Sequence, residues 1–241
     1  LDVEQTRALC TNVIDALVDL HQVDYKEHPD LVNLGRGEGY CERQVTGWDK
    51  RYIKAKTPNV PSFGLVRQWL SKHTPADSKT CLIHNDWRFD NVILDAADPT
   101  KVIGVLDWEM ATLGDPLMDL GSALAYWVEE DDNIIMQQSR RQPTHLEGMM
   151  TRDEVVDYYL QQSGLKIDNW TFYEVFGLFR LAGIVQQIYY RYYNKQTTNP
   201  AFKNFWLIVH VLHAKCLKLI AQYEGEALFN TYVQPQLKEI G

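Results

Sequence analysis

The chain has 241 residues, of which 45% are apolar and 23% are charged. This length and composition exclude a disordered chain, because most of the apolar surface can be buried in one large domain or two small ones. The 32 acidic residues outnumber the 24 basic ones, and the net charge of −8 disfavours general binding to nucleic acid or anionic membranes. The longest apolar stretches, such as 205–212 with its histidine, fall short of the roughly 20 residues of a membrane span, so we expect a soluble protein.

The four cysteines are widely spaced and form neither a CxxC pair nor a compact disulfide framework: Cys10, Cys41, Cys81 and Cys216. Their spacing argues against a zinc site and favours reduced thiols. The first residues also lack the basic and then apolar order of a secretory signal. Together these features predict a cytoplasmic protein.

The first 80 residues carry helical patterns. Apolar residues from Cys10 to His21 recur three and four positions apart, which indicates an amphipathic first helix. Similar patterns predict helices over about 40–54 and 61–72. The segment 35–39 is rich in glycine, but no strand precedes it, so the pattern does not favour a phosphate-binding loop.

Short apolar runs separated by turn residues follow, and they predict three strands: 81–83, 92–94 and 102–106. The turn composition of 95–99 joins the second and third strands as a hairpin. The polar run from His84 to Asn91 is held between the first two strands. Loops that strands hold in this way often carry function.

Helical patterns return after Pro116. Thr151 and Glu154 form a capping box that opens a helix, and further helices are predicted over 170–194 and 202–223. The sequence therefore predicts one mostly helical α+β domain. Its expected parts are a helical start over 1–80, a β element over 81–107 and a helical bundle over 108–241.

The groups suited to chemistry lie in the loop 84–91 and at the end of the third predicted strand. Asp86 and Asn91 are five residues apart on the loop, and Asp107 ends the returning strand of the hairpin. Asn91 and Asp107 offer the oxygen ligands that Mg²⁺ prefers, which leaves Asp86 to accept a proton. Such a site suits phosphoryl transfer, with Arg88 as a cation that faces phosphate charge.

The sequence of residues 84–91 (HNDWRFDN) and of 105–109 (VLDWE) resembles the catalytic and metal loops of the aminoglycoside phosphotransferase and choline kinase-like superfamily, relatives of protein kinases. Residues 40–44 and 110–120 are similar to the acyl-CoA dehydrogenase 10/11-like branch of that superfamily. The resemblance implies a protein-kinase-like C-terminal lobe whose small β element carries both loops. It also implies that ATP and Mg²⁺ are the cofactors.

Position by position, the resemblance implies that Asp86 is the catalytic base and that Asn91 and Asp107 bind Mg²⁺. Arg88 occupies the place where protein kinases use a cation against the transferred phosphate. Asn85 stands where many members have glycine, a departure that the residue type tolerates.

The resemblance also implies supporting roles. His84 is expected to steady the loop that carries Asp107, and Asp119 to hydrogen-bond the backbone of the catalytic loop. Ile93 and Leu106 are implied to form part of an apolar floor under the adenine.

Two further residues are candidate substrate contacts. Trp127 either lines a substrate cleft or is a packed helix aromatic. Glu129 begins the acidic run 129–132, which could attract an amine, although acidic runs at helix ends are usually solvated.

The resemblance further implies an N-terminal nucleotide lobe with a glycine-rich strand pair and a lysine paired to a helix glutamate. No segment from residue 1 onward has that pattern, so we expect the lobe to precede Leu1 in a longer parent protein. The leading hypothesis is therefore the C-terminal lobe of a small-molecule kinase that transfers the γ-phosphate of ATP to a hydroxyl group. A hydroxyacyl-type alcohol is the first candidate substrate, and an aminoglycoside or choline-like alcohol is the second.

Two other functions stay open from the sequence. One is a noncatalytic, pseudokinase-like binding module that lacks the nucleotide lobe. The other is a magnesium phosphohydrolase that uses the same metal ligands with water as nucleophile.

Overall fold

The computed structural model describes residues 1–225, and it is mostly helical with two small sheets, as the sequence predicts. The α-helices of the described residues are α1 (Val3–Gln22), α2 (Pro29–Val32), α3 (Tyr40–Ala55), α4 (Gly64–Lys72), α5 (Pro116–Leu124), α6 (Ile134–Ser139), α7 (Arg152–Ser163), α8 (Trp170–Tyr193) and α9 (Phe205–Glu224). The strands are β1 (Cys81–Ile83), β2 (Val92–Leu94), β3 (Val102–Val105) and β4 (Thr112–Gly114).

The chain forms two compact units, and each unit combines segments that are far apart in sequence. Among the described residues, the first unit contains 1–41 and 75–168, and the second contains 42–74 and 169–225. The sequence predicts one domain with three successive parts, and this domain organisation stays a prediction. Within each unit, helices that are distant in sequence pack together, which no local pattern records.

Helix α1 anchors the first unit and confirms the predicted amphipathic helix. Asp2 accepts a hydrogen bond from Gln5 N at 2.8 Å, and the Gln5 side chain accepts one from Asp2 N at 3.0 Å, which closes a capping box. The predicted apolar face, which includes Cys10, Val13, Ile14, Leu17, Leu20 and His21, is buried.

The strands of the first unit form two antiparallel pairs. Strands β2 and β3 form the predicted hairpin, with Val92 opposite Val105. Strand β1 pairs with β4, which the sequence does not predict, since so short a strand is defined only by its partner. Gly114 is required in β4, because a Cβ there would lie 2.5 Å from Ile83 Cδ1 and 2.8 Å from Tyr40 Cε2.

The second unit is built from the helical residues that follow Cys41 in α3, and from α4, α8 and α9. Its core includes three aromatic rings in mutual contact, with centroids 4.8 Å apart for Tyr52 and Phe63 and 5.5 Å apart for Phe63 and Phe179. Such tilted pairs stabilise a core beyond the area that they bury. This unit therefore has a hydrophobic core of its own.

The segment Pro200–Glu224, which includes α9, meets the length and hydropathy of a membrane span, with a mean hydropathy of 1.3. This corrects the expectation that every apolar stretch falls short, because polar residues interrupt the segment without making it polar overall. Only 22% of the most apolar part of this segment is buried. Its buried residues recur three to four positions apart and lie against the rest of the second unit: Val209, Leu212, Cys216 and Ile220. Helices in soluble cores pass the same test, so length and hydropathy do not assign this helix to a membrane.

Candidate active site

The loop between β1 and β2 places Asp86 beside Asn91. Asn91 Nδ2 donates to the main-chain oxygen of Asp86 at 2.8 Å and to its carboxylate Oδ2 at 3.2 Å. A 3₁₀ turn, Phe89–Asn91, closes the loop immediately before β2 and buries Asn91. Because the amide nitrogen is committed to Asp86, the Asn91 amide oxygen is the atom that can bind a cation.

Asp107 leaves the hairpin at the same end as Asn91. Beyond the Val92 and Val105 pair, Leu106 N donates to Asn91 O at 2.8 Å, and Asp107 follows directly. Asp107 is exposed and has φ 64° and ψ 52°, a left-handed conformation that non-glycine residues keep mainly where the surroundings impose it. An amide oxygen and a carboxylate are ligand types that suit Mg²⁺, which takes few protein ligands and keeps positions for water and phosphate.

His84 connects the two loops. Its ring is fully buried, with Nδ1 accepting from Asp86 N at 3.2 Å and Nε2 lying 2.8 Å from Leu106 O. Since Nδ1 is an acceptor, the ring proton is on Nε2 and is donated to Leu106 O. The histidine thus fixes the backbone at Asp86, the predicted base, and at Leu106, the residue before the predicted metal ligand Asp107.

The Arg88 guanidinium lies beside Asp86. Arg88 Nε is 3.5 Å from Asp86 Oδ1, and Nη2 is 3.2 Å from Asp90 Oδ2. The contact with Asp86 is electrostatic without being a hydrogen bond, because Arg88 Nε has no hydrogen-bond partner among the described residues. The side chain is 21% exposed, so its charge remains accessible from the loop.

Asp119, which lies on α5, binds the backbone at the start of the loop 84–91. Its carboxylate is fully buried and accepts from the backbone N–H of His84 and of Asn85, both at 2.8 Å. Burial opposes the ionised form, but the hydrogen bond from His21 and the two amide bonds outweigh it and keep the pKa of Asp119 below its usual range. The carboxylate therefore stays charged and holds the loop in place.

His21 supports Asp119, a role that the sequence does not predict. Its Nε2 lies 3.2 Å from Asp119 Oδ2, and its Nδ1 lies 2.6 Å from the hydroxyl of Tyr159. The signal in the sequence is a histidine on the apolar face of α1, since a buried imidazole requires buried partners. The pattern does not identify those partners.

Asp115 begins α5 and is fully buried. Its Oδ1 accepts from Leu117 N and Met118 N, and its Oδ2 accepts from the amide and hydroxyl of Ser78. Burial nevertheless raises the pKa of Asp115. The carboxylate is a helix cap that also ties the segment before β1 to α5.

Asp115 belongs to a group of three possible ligand atoms that lie within 4.8 Å of one another, with Asp77 and Cys41. Asp77 accepts from the backbone N–H of Tyr40 and of Cys41, both at 2.9 Å, so its carboxylate also caps a helix. Burial raises the pKa of the Cys41 thiol far above its usual value, which disfavours the thiolate that binds metals. The geometry assigns this cluster to helix capping.

Asn85 stands at the position where the resemblance predicts glycine. Its φ is 66°, in the left-handed region that asparagine tolerates better than most residues. Asn85 Oδ1 accepts from the Tyr40 hydroxyl at 3.0 Å, and Nδ2 donates to Met110 O at 3.0 Å. The asparagine therefore adds contacts that glycine lacks, to α3 and to the segment after Asp107.

Ile93 and Leu106 lie on one face of the hairpin. Ile93 is opposite Gly104, and Leu106 follows Gly104 by two positions, so both side chains lie on the same face. They are 42% and 48% exposed. This apolar surface is available beside Asn91 and Asp107, where the resemblance predicts adenine.

The two residues predicted to contact substrate, Trp127 and Glu129, have partners within the protein. Trp127 is 5% exposed, donates from Nε1 to Met150 O at 3.0 Å and packs on Phe89 with ring centroids 5.5 Å apart. Glu129 lies 2.6 Å from Arg152, which also pairs with Asp132 at 2.6 Å. The geometry therefore favours the packed-aromatic interpretation of Trp127 and gives Glu129 an internal cation as partner.

The arrangement places a carboxylate that could accept a proton beside an arginine, with an amide oxygen and a second carboxylate that could hold a hard cation. It suits in-line phosphoryl transfer to a hydroxyl group, in which the protein positions the nucleophile and neutralises phosphate charge. The fold and the site thus define a kinase-like phosphotransferase class.

Comparison of the sequence with known families agrees with this class. Residues 1–174 match the phosphotransferase enzyme family. The chain belongs to this family, and the superfamily predicted from the two loops is confirmed.

The predicted branch is confirmed by curated relatives. The chain is 36% identical over 193 residues to mouse acyl-CoA dehydrogenase family member 10, which covers 79% of the chain and 18% of the relative. It is 32% identical over 188 residues to mouse acyl-CoA dehydrogenase family member 11, which covers 77% of the chain and 24% of that relative. The chain therefore spans about a fifth to a quarter of the length of these relatives, whose dehydrogenase name refers to the longer proteins.

A solved structure supports the fold. A Ralstonia eutropha protein that is proposed to be an aminoglycoside phosphotransferase superposes with a TM-score of 0.77 and 26% identity. The alignment covers 90% of the chain and 67% of that protein. The predicted kinase-like fold class is thus confirmed.

Proposed function

We propose that the chain is the catalytic lobe of an ATP- and Mg²⁺-dependent phosphotransferase that phosphorylates the hydroxyl group of a small molecule. The observation that carries the proposal is the hairpin end where Asn91 and Asp107 emerge together, with Asp86 hydrogen-bonded to Asn91. Membership of the phosphotransferase family supports the reaction class.

In this proposal Asp86 accepts the proton of the substrate hydroxyl while that oxygen attacks the γ-phosphorus of ATP. The bond between the γ-phosphorus and the oxygen that bridges the β- and γ-phosphates breaks, and ADP leaves. The hydrogen bond from Asn91 Nδ2 orients the carboxylate, and Arg88 beside it balances negative charge on the phosphate. Asn91 and Asp107 would hold Mg²⁺, which supplies charge neutralisation of the phosphates when it is bound.

We also propose that a nucleotide-binding lobe works with this chain. The solved relative is longer than the aligned part, since the alignment covers 67% of it. Ile93 and Leu106 then provide the apolar floor for the adenine from the side of this chain. A melting scan with and without Mg²⁺ and ATP, on the 241 residues and on a longer natural chain, tests the proposal, and strong stabilisation of the 241 residues alone would contradict it.

For the substrate we propose a hydroxyacyl-type alcohol. The similarity to acyl-CoA dehydrogenase family members 10 and 11 favours an acyl-linked acceptor. The alternative, a cationic amino alcohol, needs acidic groups at the site, but Glu129 and Asp132 are paired with Arg152. Transfer of labelled γ-phosphate to hydroxyacyl thioesters, aminoglycosides and choline compares the two classes directly.

The decisive variant is Asp86→Asn in the natural full-length protein. We expect turnover to fall by about a thousandfold, because the general base is lost while the shape is kept. Binding of ATP with Mg²⁺ and the melting temperature should change little, since Asn91 and Asp107 are intact.

The matched control is Asp95→Asn on the same hairpin, where the carboxylate caps the turn by accepting from Ala97 N at 2.8 Å. It should keep full turnover. Retained turnover in Asp86→Asn would refute the base assignment, and a wild-type protein that binds nucleotide but phosphorylates no acceptor would favour the noncatalytic binding module.

A further inference from the structure

The catalytic loop is held from both ends of α5. At the start of the helix, Asp119 binds the backbone of residues 84 and 85. Immediately after its end, Tyr126 presents its ring to Arg88, with the guanidinium Cζ 5.2 Å from the ring centroid. That distance is within the range of a cation–π contact, and because the Arg88 side chain is only 21% exposed, solvent does not fully screen the interaction.

Gln142 fixes the backbone of the same segment. Its Oε1 accepts from Phe89 N at 2.9 Å, and its Nε2 reaches the main-chain oxygen of Tyr126 at 3.4 Å. Gln142 is 6% exposed, so these groups have little access to solvent. One amide side chain therefore links the residue after Arg88 to Tyr126.

A small cavity lies beside this segment. Arg88, Phe89 and Gln142 border a cavity of about 10 Å³, whose other walls come mainly from apolar side chains of α1 and α5. The cavity is no larger than about one water molecule, so the segment is closely packed on this side. The contacts to Tyr126 and Gln142 add an aromatic face and a backbone hydrogen bond to this packing.

We propose that Tyr126 is a positioning residue that holds the Arg88 guanidinium beside the Asp86 carboxylate, with Gln142 fixing the backbone beneath it. The inference rests on the proposed phosphotransferase function. Arg88 Nη2 already lies 3.2 Å from the exposed carboxylate of Asp90. Without the ring, the guanidinium can turn toward Asp90 and away from the Asp86 carboxylate. Tyr126 thereby acts on transfer through Arg88.

The test uses the pair Tyr126→Phe and Tyr126→Leu. The phenylalanine keeps an aromatic face for the guanidinium, whereas the leucine removes it. We expect Tyr126→Leu to lower kcat about tenfold with a much smaller change in acceptor KM. The separate variant Tyr126→Phe should keep most of the natural kcat. In an Arg88→Met background, Tyr126→Leu should have little further effect, because the group that it positions is gone.

A spectroscopic readout does not depend on activity. The Arg88 Nε–H resonance should carry a ring-current shift that Tyr126→Phe keeps and Tyr126→Leu loses. The control is Tyr158→Leu, which removes a similarly half-buried tyrosine that donates to Asp15 at 2.7 Å, away from the loop. It should change neither kcat nor the Arg88 resonance.

The outcomes separate the two proposals. Equal losses of kcat in the phenylalanine and leucine variants, or an undiminished effect of Tyr126→Leu in the Arg88→Met background, would overturn the positioning role. A protein that phosphorylates no acceptor would sink the proposed function, and the Arg88 resonance would then decide the positioning by itself. An Arg88 resonance that is the same in all three Tyr126 forms would overturn the positioning role in either case.

Discussion

The buried triad of Tyr159, His21 and Asp119 connects a residue of α1 to the backbone of the catalytic loop. Replacing His21 with leucine leaves the Asp119 carboxylate and the Tyr159 hydroxyl buried without this partner. We expect the free energy of unfolding, measured by urea denaturation, to fall by about 2–3 kcal/mol. Turnover should fall as well, because Asp119 binds the amides of residues 84 and 85.

His28→Leu is the control for this variant, since His28 is exposed in the same unit. It should change stability by less than about 0.5 kcal/mol. Similar small effects of both substitutions would mean that the two amides alone hold Asp119.

Single residues also show what a sequence can reveal about a site. Asp86, Asn91 and Asp107 are recognisable because their spacing follows one hairpin, whose strands and turn are encoded locally. The partners His21 and Asp119 are 98 residues apart, and no local pattern joins them. From the sequence, Glu129 is interpreted as part of a solvated acidic run. Folding places Arg152, 23 residues further along, beside it, and no local pattern indicates this partner.

At the scale of elements, the capping box of α7 makes a specific prediction. Thr151 Oγ1 accepts from Glu154 N at 3.2 Å, and Thr151 N donates to Glu154 Oε2 at 2.9 Å. Thr151→Ala removes the side-chain cap and should lower the free energy of unfolding by about 1 kcal/mol, as measured by urea denaturation.

Glu154→Gln is the matched variant, because glutamine can still complete the box but cannot pair with Arg7 on α1. Both partners of that ion pair are more than two-fifths exposed, so its loss should cost less than about 1 kcal/mol and should diminish in high salt. A larger effect for Glu154→Gln than for Thr151→Ala would show that the ion pair, and not the cap, holds the start of α7.

Elements differ in how far their own residues define them. The capping box of α7 and the apolar face of α1 are readable in the sequence, since both depend on neighbours within four residues. Strand β4 is not readable, because its three residues become a strand only by pairing with β1, about 30 positions earlier. The division into two compact units is hidden for the same reason, since it depends on contacts between distant segments.

At the scale of the whole molecule, acid should weaken the two units in different pH windows. In the first unit, the hydrogen bonds of Asp119 hold its pKa low against burial, and Arg7 with Thr151 lowers the pKa of Glu154 to about 2. The stability from these carboxylates is complete above their ordinary pKa near 4 and is lost as pH falls through the lower folded values. The raised pKa of buried Asp115 acts in the opposite sense and offsets part of this loss.

In the second unit, burial lowers the pKa of His213 below its ordinary value of 6.5. The unfolded chain then binds more protons than the folded chain below pH 6.5, so the unit loses stability as pH falls from there toward the lowered pKa. Hydrogen exchange between about pH 7 and pH 3, corrected for the intrinsic rate, should show protection lost first in 42–74 and 169–225. His213→Gln should remove this early loss and His28→Gln should not, whereas one simultaneous transition of both units would contradict separate acid responses.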